Sequence, residues 1–180
     1  VSGLIPTGET GWTPLAGEGG HATLPAITAR EQMVMKGLTL IYGHASAERM
    51  LCGQGLVDTF RLLCRAEAKA MGPIDSAAGV IDAALKANHP QAVEALNMFS
   101  SVLGTVAGNL ALTLGAHGGV YIGGGIVPRL GAWFDSSPFR KCFETKGRFK
   151  SYLFSIPVWV ITSAQSPALL GAARALDAHA

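Results

Sequence analysis

Two short segments of this 180-residue sequence set carboxylates and imidazoles close together. The first is Gly17-Glu18-Gly19-Gly20-His21, where a carboxylate and a ring nitrogen stand among three glycines. Ionised carboxylates accept strong hydrogen bonds from hydroxyl groups, and a neutral imidazole both donates and accepts. Glycines, lacking Cβ, let a small ligand meet the backbone. Burying Glu18 is unfavourable unless it binds something; otherwise the segment is a surface turn. The second is His44-Ala45-Ser46-Ala47-Glu48-Arg49. Ser46 reads as a helix N-cap, and Glu48 in the first turn gains from the helix dipole and its free N–H groups. That accounts for Glu48 by itself; ligand binding is the other reading. Glu18, His21, His44 and Glu48 also supply donors for a zinc or di-iron site. Against this, E-x-x-H presents both ligands on one face only within a helix, and Gly19-Gly20 disfavours one.

A third segment, Gly118-Gly119-Val120-Tyr121-Ile122-Gly123-Gly124-Gly125-Ile126-Val127-Pro128, reads as a buried strand, a glycine turn and a helix start. Ligands of open α/β sheets gather at the carboxyl ends of strands. No G-K-[ST] follows, and Pro128 stands where the last glycine of G-x-G-x-x-G belongs, so neither phosphate motif is present. A nucleotide ring or ribose fits such a turn, and so does close packing of helix on strand.

Elements of ordinary length must position these segments. The region 1–31, with Pro6, Pro14 and Pro25, reads as loop with short strands at most. A helix is expected over 29–42 and a short one from the Ser46 cap to Cys52. Leu56, Phe60 and Leu63 mark another through Lys69. Asp75 or Ser76 caps a helix to Ala87. Pro90 opens a long one with Val93, Leu96, Leu103, Val106, Leu110 and Leu114 on one face. Strands are expected at 120–122 and 158–161, helices over 127–134 and from Pro167 to 176, and a solvated basic segment over 139–150. Such alternation indicates an α/β or α+β layered fold.

Composition narrows the function classes. Hydrophobic residues make up 49% and charged residues 14% of the chain, against a usual charged share of about 25%, which excludes a disordered chain. A net charge of +2 argues against a nucleic-acid binder. The stretch from Ala95 to Pro128 carries no Asp, Glu, Lys or Arg and contains Gly104-x-x-x-Gly108, a pattern also found where membrane helices pair. Asn97, Ser100, Thr105, Asn109 and His117 interrupt it, so a buried helix followed by a strand is expected, with no membrane partner. Cys52, Cys64 and Cys142 are odd in number and show no C-x-x-C, which suits reduced thiols in or near the core. Together with the lack of a signal-peptide pattern in 1–11, this leads to an intracellular expectation.

The set Gly17-Glu18-Gly19-Gly20-His21, Ser46-Ala47-Glu48-Arg49 and Gly119-Val120-Tyr121-Ile122-Gly123-Gly124-Gly125-Ile126-Val127-Pro128-Arg129 resembles the bacterial-type glucokinase family. Phe139-Arg140, Lys146-Gly147-Arg148-Phe149-Lys150, Ile156-Pro157-Val158 and Leu169-Leu170-Gly171 agree, so the resemblance spans nearly the whole chain. It implies an α/β fold of the actin-like (ribonuclease H-like) ATPase type, with two domains and a cleft. Residues 1–180 would be the C-terminal larger domain, a mixed sheet flanked by helices, without the small N-terminal domain. It implies transfer of the ATP γ-phosphoryl group to the 6-hydroxyl of glucose with Mg²⁺, the first step of glycolysis. Glu18, His21 and Glu48 would hold the sugar, and Gly123, Gly124, Gly125 and Ile126 would form the ATP adenosine turn. A cytoplasmic homodimer is implied. Ala178-His179-Ala180 loosely resembles a peroxisomal address, which makes a glycosome-like organelle the alternative.

The sequence also departs from the family. Its Asp-Gly-Gly-Thr loop, its Asn-Asp pair with the catalytic base and its Gly-Thr-Gly-x-Gly loop do not occur here. Asp58, Asp75, Asp82, Asp135 and Asp177 match nothing catalytic in it. The chain is therefore expected to begin just past the second phosphate loop, to hold no catalytic residue and to be inactive alone. The cysteine-rich zinc motif of the related repressors is absent too, and no bound metal is expected. The alternative is a non-catalytic sugar-binding or dimerisation module.

Overall fold

Hydroxyl and thiol side chains set where several helices begin. The computed structural model describes residues 2–8, 11–163, 165 and 167–177. Helix α1, Ala29–Tyr42, starts in a capping box: Thr28 Oγ1 accepts from the Glu31 N–H while the Glu31 carboxylate accepts from the Thr28 N–H. Ser46 caps α2, Ala47–Met50, by accepting from the Arg49 N–H. Cys52 caps α3, Gly53–Ala66, and Ser76 caps α4, Ala77–Leu85. Pro90 opens α5, Pro90–Leu114, and the left-handed Gly115 ends it.

Helix α5 is the axis of the core. Helices α3 and α4 pack against it on one side and α8, Phe139–Glu144, on another. Because neighbours crowd more than one face, small residues take the interior: Ala92, Ala95, Ala107 and Ala111 are buried beside Leu96 and Phe99. The leucine face expected from the sequence holds in part, with Leu96 buried and Val93, Leu103 and Val106 packed against the core. Val93, Leu103, Val106 and Leu110 are half-buried, and Leu114 is exposed. Gly104 and Gly108 serve the α8 contact. A Cβ on them would stand 2.2 Å from the Phe139 carbonyl oxygen and 2.5 Å from that of Phe143. By length and composition α5 is apolar enough to cross a membrane, yet most of its apolar window is buried inside the fold.

Three other expectations change. Residues 139–150 are not simply a solvated segment: Phe139 and Phe143 are buried. Arg140 donates to the carbonyls of Leu153, Phe154 and Ile156, and Lys146 to that of Thr105. The helix expected over 127–134 breaks at Gly131 (φ 54°, ψ −142°) into α6, Val127–Leu130, and α7, Ala132–Ser136. The N-terminal loop is a hairpin, β1 Ser2–Thr7 against β2 Gly11–Ala16, with Ser2 opposite Ala16 and Thr7 opposite Gly11. Pro6 and Pro14 are tolerated because each strand of a two-stranded sheet has an open edge.

The second sheet is β3, Val120–Ile122, parallel to β4, Val158–Val160. Among the described residues the strands thus form two separate pairs rather than one mixed sheet. Helices α9, Lys150–Phe154, and α10, Pro167–Asp177, complete this α/β chain. The tripeptide Ala178-His179-Ala180 lies outside the described residues.

Candidate functional site

Residues Gly19–His21 make a single tight turn in which Glu18 O accepts the His21 N–H at 2.9 Å. That turn sets Glu18 and His21 side by side, with His21 Nε2 3.7 Å from Glu18 Oε2. The chain then runs antiparallel to the loop before α2. Leu24 N–H donates to Ala45 O at 3.1 Å, Ala47 N–H donates to Ala22 O at 3.4 Å, and Thr23 pairs with Ser46. This backbone zipper brings Glu48, in the first turn of α2, across from the glycine turn. His21 Nε2 lies 3.2 Å from Glu48 Oε2. Gly20 lies against it: a Cβ there would come 3.5 Å from the same oxygen, an ordinary contact.

All three side chains are open to solvent, 86% exposed for Glu18 and 60% for His21 and Glu48. Glu18 is therefore not the buried carboxylate considered from its glycine setting. Two acceptor carboxylates flank one imidazole on an accessible surface, an arrangement suited to a polyhydroxylated ligand. His44, the fourth member of the metal alternative, bonds instead to Thr23 Oγ1 at 3.0 Å and braces the zipper. Among the described residues no group of three His, Cys, Asp or Glu side chains is arranged to hold a metal ion.

The glycine turn follows β3. Ile161 N–H donates to Ile122 O at 2.9 Å and holds the strand end in place. Gly124 has φ +115°, and a Cβ on Gly124 or Gly125 would meet no atom within 4 Å. Together with Leu51, Cys52, Phe99 and Leu103, this turn lines a cleft of about 300 Å³. Its apolar walls and bare backbone suit a flat ring. Helix α2 joins the two features, carrying Glu48 in its first turn and leading into Leu51 and Cys52 on the cleft wall.

Sequence reasoning missed what sets the angle of α2. A Cβ on Gly55 would stand 2.0 Å from Arg49 O and 2.6 Å from Met50 O, so α2 rests directly on the start of α3. One turn on, Asp58 is buried (6% exposed). It accepts from Tyr42 Oη at 2.6 Å and Gln54 Nε2 at 2.9 Å. The bond to Asp58 and then burial raise the Tyr42 hydroxyl above its ordinary pKa. The available signal was a lone Asp between Val57 and Phe60.

The sequence model of the glucokinase family matches residues 1–179. A glucokinase of Aromatoleum aromaticum is 54% identical over 98% of this chain and 53% of its own length. One from Nitrobacter hamburgensis is 50% identical over 97% and 53%. The chain thus spans about half the length of the curated relatives it matches. Among solved structures, a glucokinase from an Antarctic psychrotroph superposes with TM-score 0.79 at 30% identity, over 89% of this chain and 49% of that one. A Balamuthia mandrillaris glucokinase, solved in complex with glucose, superposes with TM-score 0.74 at 18% identity, over 87% and 45%. This last likeness speaks to the fold alone.

Proposed function

The chain belongs to the glucokinase family, and from that premise we propose that the intact protein transfers the γ-phosphoryl group of ATP to the 6-hydroxyl of glucose. The convergence of Glu18, His21 and Glu48 from two zippered loops carries this reading. In it the two carboxylates accept from sugar hydroxyls and His21 donates or accepts beside them, which fixes the ring's orientation. Orientation matters because phosphoryl transfer rests largely on positioning and on electrostatic stabilisation.

The adenosine of ATP would lie on Gly123, Gly124, Gly125 and Ile126, where the open space over Gly124 and Gly125 leaves room for a ring. Mg²⁺ supplies charge neutralisation at the transferring phosphoryl group. The described residues offer no cage for it, so no step is assigned to a metal held by this chain. The reading takes the fold as the larger-domain part of an actin-like ATPase and the protein as a cytoplasmic homodimer.

The test is ADP release by the intact protein with glucose as the acceptor. Glucose-dependent turnover is expected, with Glu18→Ala raising the KM for glucose while the KM for ATP stays within about twofold. Absence of glucose-dependent turnover, or an unchanged KM for glucose in the variant, overturns the reading.

A further inference from the structure

We infer that Tyr42 and Asp58, acting through Arg49, are positioning residues that fix the direction of Glu48 toward the sugar. This inference rests on the sugar reading of Glu48 proposed above. Helix α2 is only four residues long, too short to hold its own orientation, since an isolated turn fixes several dihedrals for one hydrogen bond. Its direction must come from outside. Gly55 fixes the height of its C-terminal end over α3, but a point of contact does not fix rotation about the helix axis.

The buried Ala47 and Met50 and the Ala47–Ala22 bond turn one side of α2 inward, and on its exposed side Arg49 adds a side-chain constraint. It follows Glu48 directly, and successive helical side chains diverge by about 100°. Pinning Arg49 therefore narrows where Glu48 points. The guanidinium carbon of Arg49 lies 4.3 Å from the centroid of the Tyr42 ring, within the range of a cation–π contact. The ring in turn is held by its hydroxyl, which donates to Asp58 Oδ2 at 2.6 Å. Asp58 is held through its other oxygen by Gln54 Nε2 at 2.9 Å, with Arg61 3.6 Å away. The result is a chain of contacts from a buried carboxylate on α3, through the last residue of α1, to the side chain adjacent to Glu48. A buried carboxylate is unfavourable unless hydrogen-bonded. Asp58 touches neither the glycine cleft nor the cluster, so this orienting chain gives it a role that neither feature supplies. The bond to Asp58 favours the protonated, donating form of the Tyr42 hydroxyl, whose pKa it raises.

The experiment is a double-mutant cycle on the intact protein, read as KM for glucose and for ATP. Tyr42→Phe keeps the ring under Arg49 and removes only its tether, so it disturbs folding least. Arg49→Lys keeps the charge and loses the planar stacking surface. Each is expected to raise the KM for glucose about three- to tenfold with the KM for ATP within about twofold. In a Glu48→Gln background, Tyr42→Phe is expected to add less than about twofold, because its effect passes through the lost carboxylate. A merely structural role of Tyr42 would move both KM values, or add fully to Glu48→Gln, and either result overturns the inference. So does an unchanged KM for glucose in Tyr42→Phe and Arg49→Lys while Glu48→Gln raises it. An unchanged KM in Glu48→Gln itself removes the sugar reading and the inference together.

Discussion

Replacing Gly55 by Ala separates the packing of α2 from everything else in the site. Gly55 lies in α3 and has no positive φ, so the backbone conformation accepts alanine. Helix propensity alone favours the change by about 1 kcal/mol. The added methyl, however, would stand 2.0 Å from Arg49 O where ordinary contact starts at 3.4 Å, so the corner must open by about 1.4 Å. The obstacle is backbone on both sides and cannot rotate away. Overpacking of this kind costs about 3 kcal/mol, the upper part of its usual range. About 2 kcal/mol of destabilisation remains after the propensity gain. At about 2–4 °C per kcal/mol for a chain of this length, the melting temperature should fall by about 4–8 °C. Thermal melts followed by circular dichroism read it directly. The control is Gly53→Ala, whose methyl meets only Ala77 Cβ at 3.6 Å and should leave the melting temperature equal or slightly higher. A Gly55→Ala variant as stable as the parent, or more so, would refute the reasoning that α2 is seated on this glycine. Since Glu48 is the residue before Arg49, the same shift should weaken glucose affinity by an order of magnitude or more.

Other parts of the structure make their own predictions. Arg140→Met removes the donors to the carbonyls of Leu153, Phe154 and Ile156 and should destabilise by about 2 kcal/mol in urea titration; Arg140→Lys should not restore it, because a point charge cannot reach three acceptors in a fork. Gln91 and Arg30 hold the Glu67 carboxyl below its ordinary pKa. Its stabilisation is therefore present above the usual carboxylate range and lost as pH falls through the lowered folded value. The melting-temperature gap between the parent and Glu67→Gln should be clear near neutrality and vanish at the acid end of the titration. Gly124 has φ +115°, so Gly124→Val should strain the glycine turn and raise the KM for ATP about tenfold while sparing that for glucose.

Local chemistry was legible in the sequence and packing was not. Ser46, Ser76, Pro90 and Pro167 announced helix starts because caps and prolines act within one turn of themselves. Val120-Tyr121-Ile122 read as a strand from its apolar run, but the burial expected of it holds only for Ile122, since Tyr121 is exposed. The buried side of α5 did not show, because alanines and glycines face inward only once α3, α4 and α8 approach. The segment 139–150 looked solvated because its charges outnumber its apolar residues, yet Phe139, Phe143 and the reach of Arg140 decide its place. Within the site, Glu18, His21 and Glu48 were singled out by residue type, spacing and family resemblance. Their meeting depends on hydrogen bonds between 22–24 and 45–47, a long-range pairing that residue spacing does not encode. The solvent exposure of Glu18 and the anchoring of Tyr42 on Asp58 became visible only with that pairing in place.

Titration of the 180-residue chain with glucose, followed by ligand-observed NMR with galactose in parallel, tests most directly whether Glu18, His21 and Glu48 form a sugar site. Saturable binding of glucose, none of galactose, and loss of glucose binding in Glu48→Gln are the expected results. Glucose binding that survives Glu48→Gln unchanged, or equal binding of both sugars, would contradict the account.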